Sequence, residues 1–236
     1  MAREFELRKQ IAIAATPEQV WEAITTGAGL TAWFMPMEDA APDGANVTAW
    51  DPPKRFAVRL PEADDGSTQA FEYLIEAREG GSAVLRFVHS GVLSDNWDDE
   101  FEGLTSHGWD MYLHTLTQYL TYFAGRRAVF IGAEAPQAST SPDAWPTLLT
   151  GLGLTSEVKQ GQQVRLAPEG LAPIEGVADY VGPHHLGLRT HDGLYRFHSR
   201  ATLAMPIAVG HHIFVPNLAT DKSQQAWQAW LNGLFG

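Results

Sequence analysis

Six of the nine histidines lie after residue 183: His184, His185, His191, His198, His211 and His212. Imidazole is a frequent metal ligand, so this density raises the question of a metal centre. The spacing argues against one. His184–His185 and His211–His212 are neighbours on strand-like runs, where adjacent side chains point to opposite faces, so each pair offers at most one ligand to a site. None of the six has the i, i+4 helical spacing of a metalloprotease motif. The chain also has no cysteine, which removes thiolate nucleophiles, disulfides and cysteine-based zinc sites. We expect no metal and no cofactor.

Two earlier histidines are candidates for proton chemistry. His89 stands beside Ser90 at the end of an alternating strand, and His107 lies at the start of a long helix. A neutral imidazole near an apolar cavity orients a ligand or acts as a general base. The competing reading, which the sequence favours, is that His89 caps the strand end and His107 satisfies a helix terminus. The acidic run Asp95, Asp98, Asp99, Glu100 and Glu102 is close by, but closeness in sequence is not triad geometry. That run lacks calcium-loop spacing and fits a solvated loop before a helix N-terminus, where negative charge is favourable. No glycine-rich phosphate loop is present: Gly151 and Gly153 follow a helix and precede no lysine. No catalytic set declares itself.

These residues must be positioned by recognisable elements. Phe5, Leu7, Ile11 and Ile13 alternate with polar residues, the period of a half-buried strand. Thr16 and Pro17 open a helix with Val20, Trp21 and Ile24 on its apolar face, and Gly27 and Gly29 are expected to end it. Residues 30–37 suggest a short second helix closed by Pro36. A short strand (Val47 to Trp50), a Pro-Pro corner and a strand from Arg55 to Leu60 follow. Asp64, Asp65 and Gly66 mark a turn, and two alternating strands flank Gly80-Gly81. Trp109, Leu113, Leu116 and Leu120 then fall on one face of a long helix closed by Gly125.

Residues 134–144 are small, polar and proline-containing, which predicts a linker. It separates a first domain, 1–133, from a second, 145–236. The second opens with a short helix and continues through strand-like runs, with Asp192-Gly193 as a hairpin signal. Its final helix is expected to have Asp221 as its cap, with Ala226, Trp227, Trp230, Leu231 and Leu234 on the apolar face. Both blocks run from strands into a closing helix, so the second could be a shortened relative of the first.

Composition narrows the partners. The 236 residues carry a formal charge of −12, which repels phosphate backbones and anionic lipid surfaces, so neither nucleic acid nor membrane is an expected partner. The N-terminal residues lack the apolar core of a signal peptide, and no apolar run approaches the roughly 20 residues of a membrane span. A cytoplasmic location is expected. The sequence does not specify an oligomeric state.

The order of motifs in residues 4–124 resembles the SRPBCC, or START-like, superfamily, in particular the bacterial group named after activators of the heat-shock chaperone ATPase. The matching pieces are Pro17-x-x-Val20-Trp21-x-Ala23, Trp33-Phe34, Asp51-Pro52-Pro53-x-Arg55, His89-Ser90-Gly91 and Gly108-Trp109-x-x-x-Leu113. The second block is similar to the tail of two-part members. The resemblance implies an α+β helix-grip fold, a curved antiparallel sheet around a long C-terminal helix, plus a smaller α+β module. It implies an apolar cavity between sheet and helix, lined here by Trp33, Phe34, Tyr73, Phe87, His89, Trp109, Tyr112, Leu113 and Leu116. Such a cavity binds an apolar or aromatic small molecule by area; the alternative is that these side chains form an ordinary core. Between Met37 and Trp50 this chain has room for few of the family's strands, so they are expected to be missing or very short. Binding without catalysis is the leading expectation. A cyclase- or hydrolase-like enzyme using the same pocket is the alternative, and a co-chaperone or interaction module ranks last.

Overall fold

The computed structural model describes residues 3–93 and 101–236, leaving aside the side chains of 101, 102 and 104. Asp95, Asp98, Asp99 and Glu100, and the side chain of Glu102, therefore lie outside the described residues. The chain divides into two compact units, Met1–Gly125 and Arg126–Gly236.

The first unit contains β1 (Arg3–Ile13), α1 (Pro17–Thr25), α2 (Gly27–Thr31), β2 (Val47–Asp51), β3 (Arg55–Arg59), β4 (Thr68–Arg78), β5 (Ser82–Leu93) and α3 (Phe101–Tyr122). Its strands form one antiparallel sheet in the order β1-β5-β4-β3-β2. The period-two pattern fixes the register. Ile11, Leu85 and Ile75 are in line, as are Lys9, Phe87 and Tyr73, then Leu7, His89 and Phe71, so one row of side chains faces the same side. α3 packs against β1 and buries Trp109, Leu113, Leu116 and Leu120. This is the α+β helix-grip arrangement.

Local chemistry sets the helix starts. Thr16 and Gln19 form a capping box at α1, with Pro17 at the first helical position. Gly27 and Gly29 do not terminate α1; they belong to α2, which Thr26 caps through its hydroxyl and the Gly29 amide. A Cβ at Gly29 would lie 2.6 Å from the Ala23 Cα, so this glycine is there for close packing. Residues 35–46 form no strand, and β2 is the edge of a five-stranded sheet. β5 runs to Leu93, so His89 sits inside the strand and not at its end. His107 lies on α3 and is exposed.

The second unit contains β6 (Val129–Glu134), α4 (Ala144–Gly151), β7 (Gln163–Leu166), β8 (Ile174–Val181), β9 (His185–Arg189), β10 (Gly193–His198), β11 (Ala208–Ile213) and α5 (Thr220–Phe235). Its antiparallel sheet has the order β6-β11-β10-β9-β8-β7. Leu148 and Leu152 from α4 and its end, and Trp227, Trp230 and Leu231 from α5, share one buried cluster with Ile131, Phe197 and Val209. The two tryptophans thus belong to this unit's own core.

Three sequence expectations need correction here. Residues 129–133, assigned to the first domain, form most of β6, which pairs with β11 along its whole length. Gly125 marks the turn before this short apolar run, but nothing local identifies its partner strand. Residues 134–144 are not a free tether either: Ser139 is buried and its hydroxyl accepts the Ile207 amide hydrogen bond at 3.0 Å. Glu134, Gln137, Ser141 and Asp143 are exposed, while Ser139 ties the segment to the sheet. Asp221 is not the cap of α5; the cap position is Ala219, with no side-chain hydrogen bond, and Asp221 stands in the first turn where negative charge is favourable.

One buried ion pair specifies the middle of this sheet. Arg196 donates to both Asp179 carboxylate oxygens at 2.9 and 2.8 Å, with the two side chains only 2% and 4% exposed. Gly187 makes room, since a Cβ there would lie 2.7 Å from the guanidinium. Removing one member of such a pair strands the other charge. Arg196→Met should lower the unfolding free energy by roughly 3–5 kcal/mol, and pairing it with Asp179→Leu should recover most of that loss. Urea denaturation of the two variants checks this; equal losses would contradict it.

Candidate functional site

Aromatic side chains from α2's trailing loop, β4, β5 and α3 converge in the first unit. The Phe87 and Trp109 ring centroids are 4.2 Å apart, and Tyr73 lies 5.1 Å from Phe87. Phe34 stacks on Trp109 at 5.8 Å and meets Tyr112 edge-on at 4.8 Å. Seven of the nine sequence-selected residues, Trp33, Phe34, Tyr73, Phe87, His89, Trp109 and Tyr112, are therefore one contiguous group, Trp33 joining through Phe34 at 5.5 Å. Leu113 and Leu116 are buried on α3 below Trp109. Trp33 stands apart in role. It is fully buried, and its indole donates to the Ala23 carbonyl at 2.8 Å, pinning the chain after α2 to α1.

His89 supplies the polar point of this wall. The Trp109 indole nitrogen can only donate, and it does so to His89 Nδ1 at 3.1 Å. Burial lowers the His89 pKa to about 4, so the ring is neutral near pH 7. With Nδ1 accepting, the proton resides on Nε2, which donates to Gln69 Oε1 at 3.2 Å. The basic lone pair is therefore occupied, which makes His89 a positioned dipole and not a poised base. Burial also raises the Tyr73 phenol, keeping it uncharged.

Exposure is graded across the group. Phe87, Tyr73, His89 and Trp109 are buried, whereas Phe34, Phe71, Tyr112 and Gln69 are half-buried. Each half-buried member touches Trp109 or His89: Phe71 lies 4.5 Å from the His89 ring and 5.8 Å from Trp109. The group thus combines four buried members with four that are partly exposed.

The sequence reading missed Phe71, Gln69 and Lys9. Phe71 was accessible from its period-two relation to Tyr73. Lys9 lies on the inward row between Leu7 and Ile11, where a lysine breaks the apolar pattern. Its ammonium donates to Ser106 Oγ at 2.6 Å and Asp110 Oδ1 at 2.7 Å on α3, clamping helix to sheet one residue from Trp109. Only the folded structure shows that this lysine is answered from α3.

The C-terminal histidines do not assemble. His185 and His198 form a cross-strand pair with ring centroids 5.3 Å apart. His211 faces Trp227 and Tyr195, while its neighbour His212 faces Phe130. His184 is half-buried and His191 exposed. Among the described residues, no three His, Asp or Glu side chains are grouped to hold a metal ion. Burial pushes His198 and His211 well below the usual imidazole range, so both are neutral.

A histidine held neutral at a pKa of about 4 binds fewer protons than its unfolded counterpart near 6.5. Stability must then fall as pH drops from about 6.5 towards 4, and stay flat above that range for this group. Urea midpoints at pH 7 and pH 5 should show that loss in the native chain and a smaller one in His89→Phe. An equal loss in both would contradict the assignment.

Comparison with known proteins adds solved structures only. No family model matches the chain, and no curated protein matches it. Among solved structures, the Aha1 dimer from Colwellia psychrerythraea shares 23% identity over 49% of this chain and 96% of its own, with a TM-score of 0.38. Protein BH1534 from Bacillus halodurans shares 24% identity over 51% of this chain and 99% of its own, with a TM-score of 0.39. DynU16, a protein of the dynemicin biosynthetic locus, shares 13% identity over 98% of this chain and 95% of its own, with a TM-score of 0.40.

Proposed function

We propose that the first unit binds a small apolar or aromatic molecule against the wall centred on Trp109, without catalysing a reaction on it. We infer further that the chain is a cytoplasmic bacterial member of the SRPBCC superfamily, on the motif order in residues 4–124. The observation that carries the binding reading is the graded exposure of one aromatic group around a buried polar pair. Apolar surface supplies affinity by area, and a single fixed dipole supplies orientation. The half-buried rings of Phe34, Phe71 and Tyr112 are where a ligand ring would stack, gaining about 0.5–1.5 kcal/mol per ring pair beyond area burial.

The occupied lone pair of His89 supports binding over acid–base chemistry. A general base must accept a proton from its substrate, and here Nδ1 already accepts from Trp109. No described helix is long and apolar enough to cross a membrane. With a net charge of −12, the expected ligand is neutral, its polarity confined to one hydroxyl or carbonyl placed at the half-buried Gln69 amide beside His89.

The test is native mass spectrometry of untagged protein, with extraction of any bound molecule. A co-purifying apolar or aromatic compound is expected. Adding it back at 100 times its Kd should stabilise the fold by about 2.7 kcal/mol. Phe34→Ala should weaken binding several-fold while leaving the fold intact, because Phe34 is only half-buried. An empty protein that also shows no thermal shift across a panel of apolar aromatics would overturn the proposal.

A further inference from the structure

The two edges of the first unit's sheet are built differently. At one end stands β2, five residues long, with a register shift between Val47 and Ala49 and with Pro52 and Pro53 directly after it. Short strands, bulges and prolines all discourage another strand from adding there. At the other end stands β1, eleven residues long, without proline and paired to β5 in unbroken register from Arg3 to Ile13. Among the described residues no strand lies along its far side. An open edge of this length offers a row of backbone donors and acceptors to a further strand.

Side chains at this edge are incompletely covered. On the inward row Leu7 and Ile11 are half-buried, although their partners on β5, His89 and Leu85, are buried. Between them Lys9 already pairs with Asp110, so its charge is answered within the chain and does not repel a neighbour. The outward row is Glu4, Glu6, Arg8 and Gln10, all exposed. Glu6 and Arg8 meet at 2.8 Å, with 50% and 71% of their side chains exposed.

That outward row is complementary to itself. Two copies that keep their inward rows on one side must set even-numbered residues against even-numbered ones. An antiparallel pair about a twofold axis at Leu7 then sets Glu6 against Arg8 twice and Glu4 against the Gln10 amide twice. It also brings the two half-buried Leu7 side chains together. Slipping by two residues sets Glu6 against Glu6 in one direction and Arg8 against Arg8 in the other. Like charges directly opposite are unfavourable, so one register is selected over its neighbours.

We propose that β1 is a homodimer interface, pairing antiparallel with β1 of a second copy so that one sheet runs through both chains. The row supplies its own complement, which selects a copy of this chain over an unrelated strand.

Sedimentation equilibrium of the untagged full chain and of the variants Glu6→Arg and Arg8→Glu tests this. The native chain should dimerise. Each variant alone sets like charges opposite one another and should weaken dimerisation at least about tenfold. An equimolar mixture of the two variants should recover the dimer, because one copy then carries two cations where the other carries two anions. Both positions are exposed and such ion pairs contribute little to folding, so each variant should melt near the native temperature. A native chain that stays monomeric at high micromolar concentration would overturn the proposal. So would variants that dimerise as tightly as the native chain, or a mixture that forms no dimer.

Discussion

A buried hydrogen bond joins helix to sheet in the first unit: the Trp109 indole N–H to His89 Nδ1. Because indole has no acceptor, this bond determines the tautomer of the imidazole, and the tautomer in turn determines the role of Gln69. Both side chains are buried, so either one left unpaired would carry its full desolvation cost. The aromatic rings around the pair are therefore arranged about a fixed polar point, with α3 held in register by it. The Lys9 clamp to Ser106 and Asp110 reinforces the same alignment from β1. Its ammonium is mostly shielded while Asp110 is partly exposed, so its effect is on position more than on stability.

The second unit solves an equivalent problem with charge. The Arg196–Asp179 pair lies buried in the sheet, where the absence of a side chain at Gly187 admits the guanidinium. A buried pair of this kind specifies one strand arrangement more than it adds net stability. His198 and His211 beside it are uncharged, and His211 illustrates the cost of such packing. Its Nδ1 accepts the Arg196 amide, while its Nε2 has no hydrogen-bond partner and lies among the rings of Trp227, Tyr195 and Phe197. What resembles a metal-ligand set in sequence is dispersed over both faces of a sheet.

Much of the fold was legible because its elements are encoded locally. The capping box at Thr16, the Gly80-Gly81 turn, the Asp192-Gly193 hairpin and the apolar face of α3 all depend on residues a few positions apart. What failed was what depends on distant partners. β6 was missed because its identity as a strand rests on pairing with β11, some eighty residues later. Residues 134–144 resembled a linker because burial of Ser139 against Ile207 leaves no local trace. The site followed the same division. Aromatics on α3 and β5 were identified by periodicity and by resemblance, but the sharing of His89 between Trp109 and Gln69 required coordinates. Trp33 is a cavity candidate through the family-like Trp33-Phe34 motif, and its hydrogen bond to the Ala23 carbonyl anchors the chain after α2 to α1.

The central claim, that the Trp109 wall is a binding surface while Trp33 is structure, separates two indoles that one experiment can observe together. A proton–nitrogen NMR titration of the full chain with 1-naphthol, an aromatic probe with one hydroxyl, reports on both indole N–H groups. The account predicts a saturable shift of the Trp109 resonance and a smaller one of Trp33, whose ring meets the wall only through Phe34 at 5.5 Å. A Trp109 signal that does not move at any probe concentration, or that moves no more than Trp33, would contradict it.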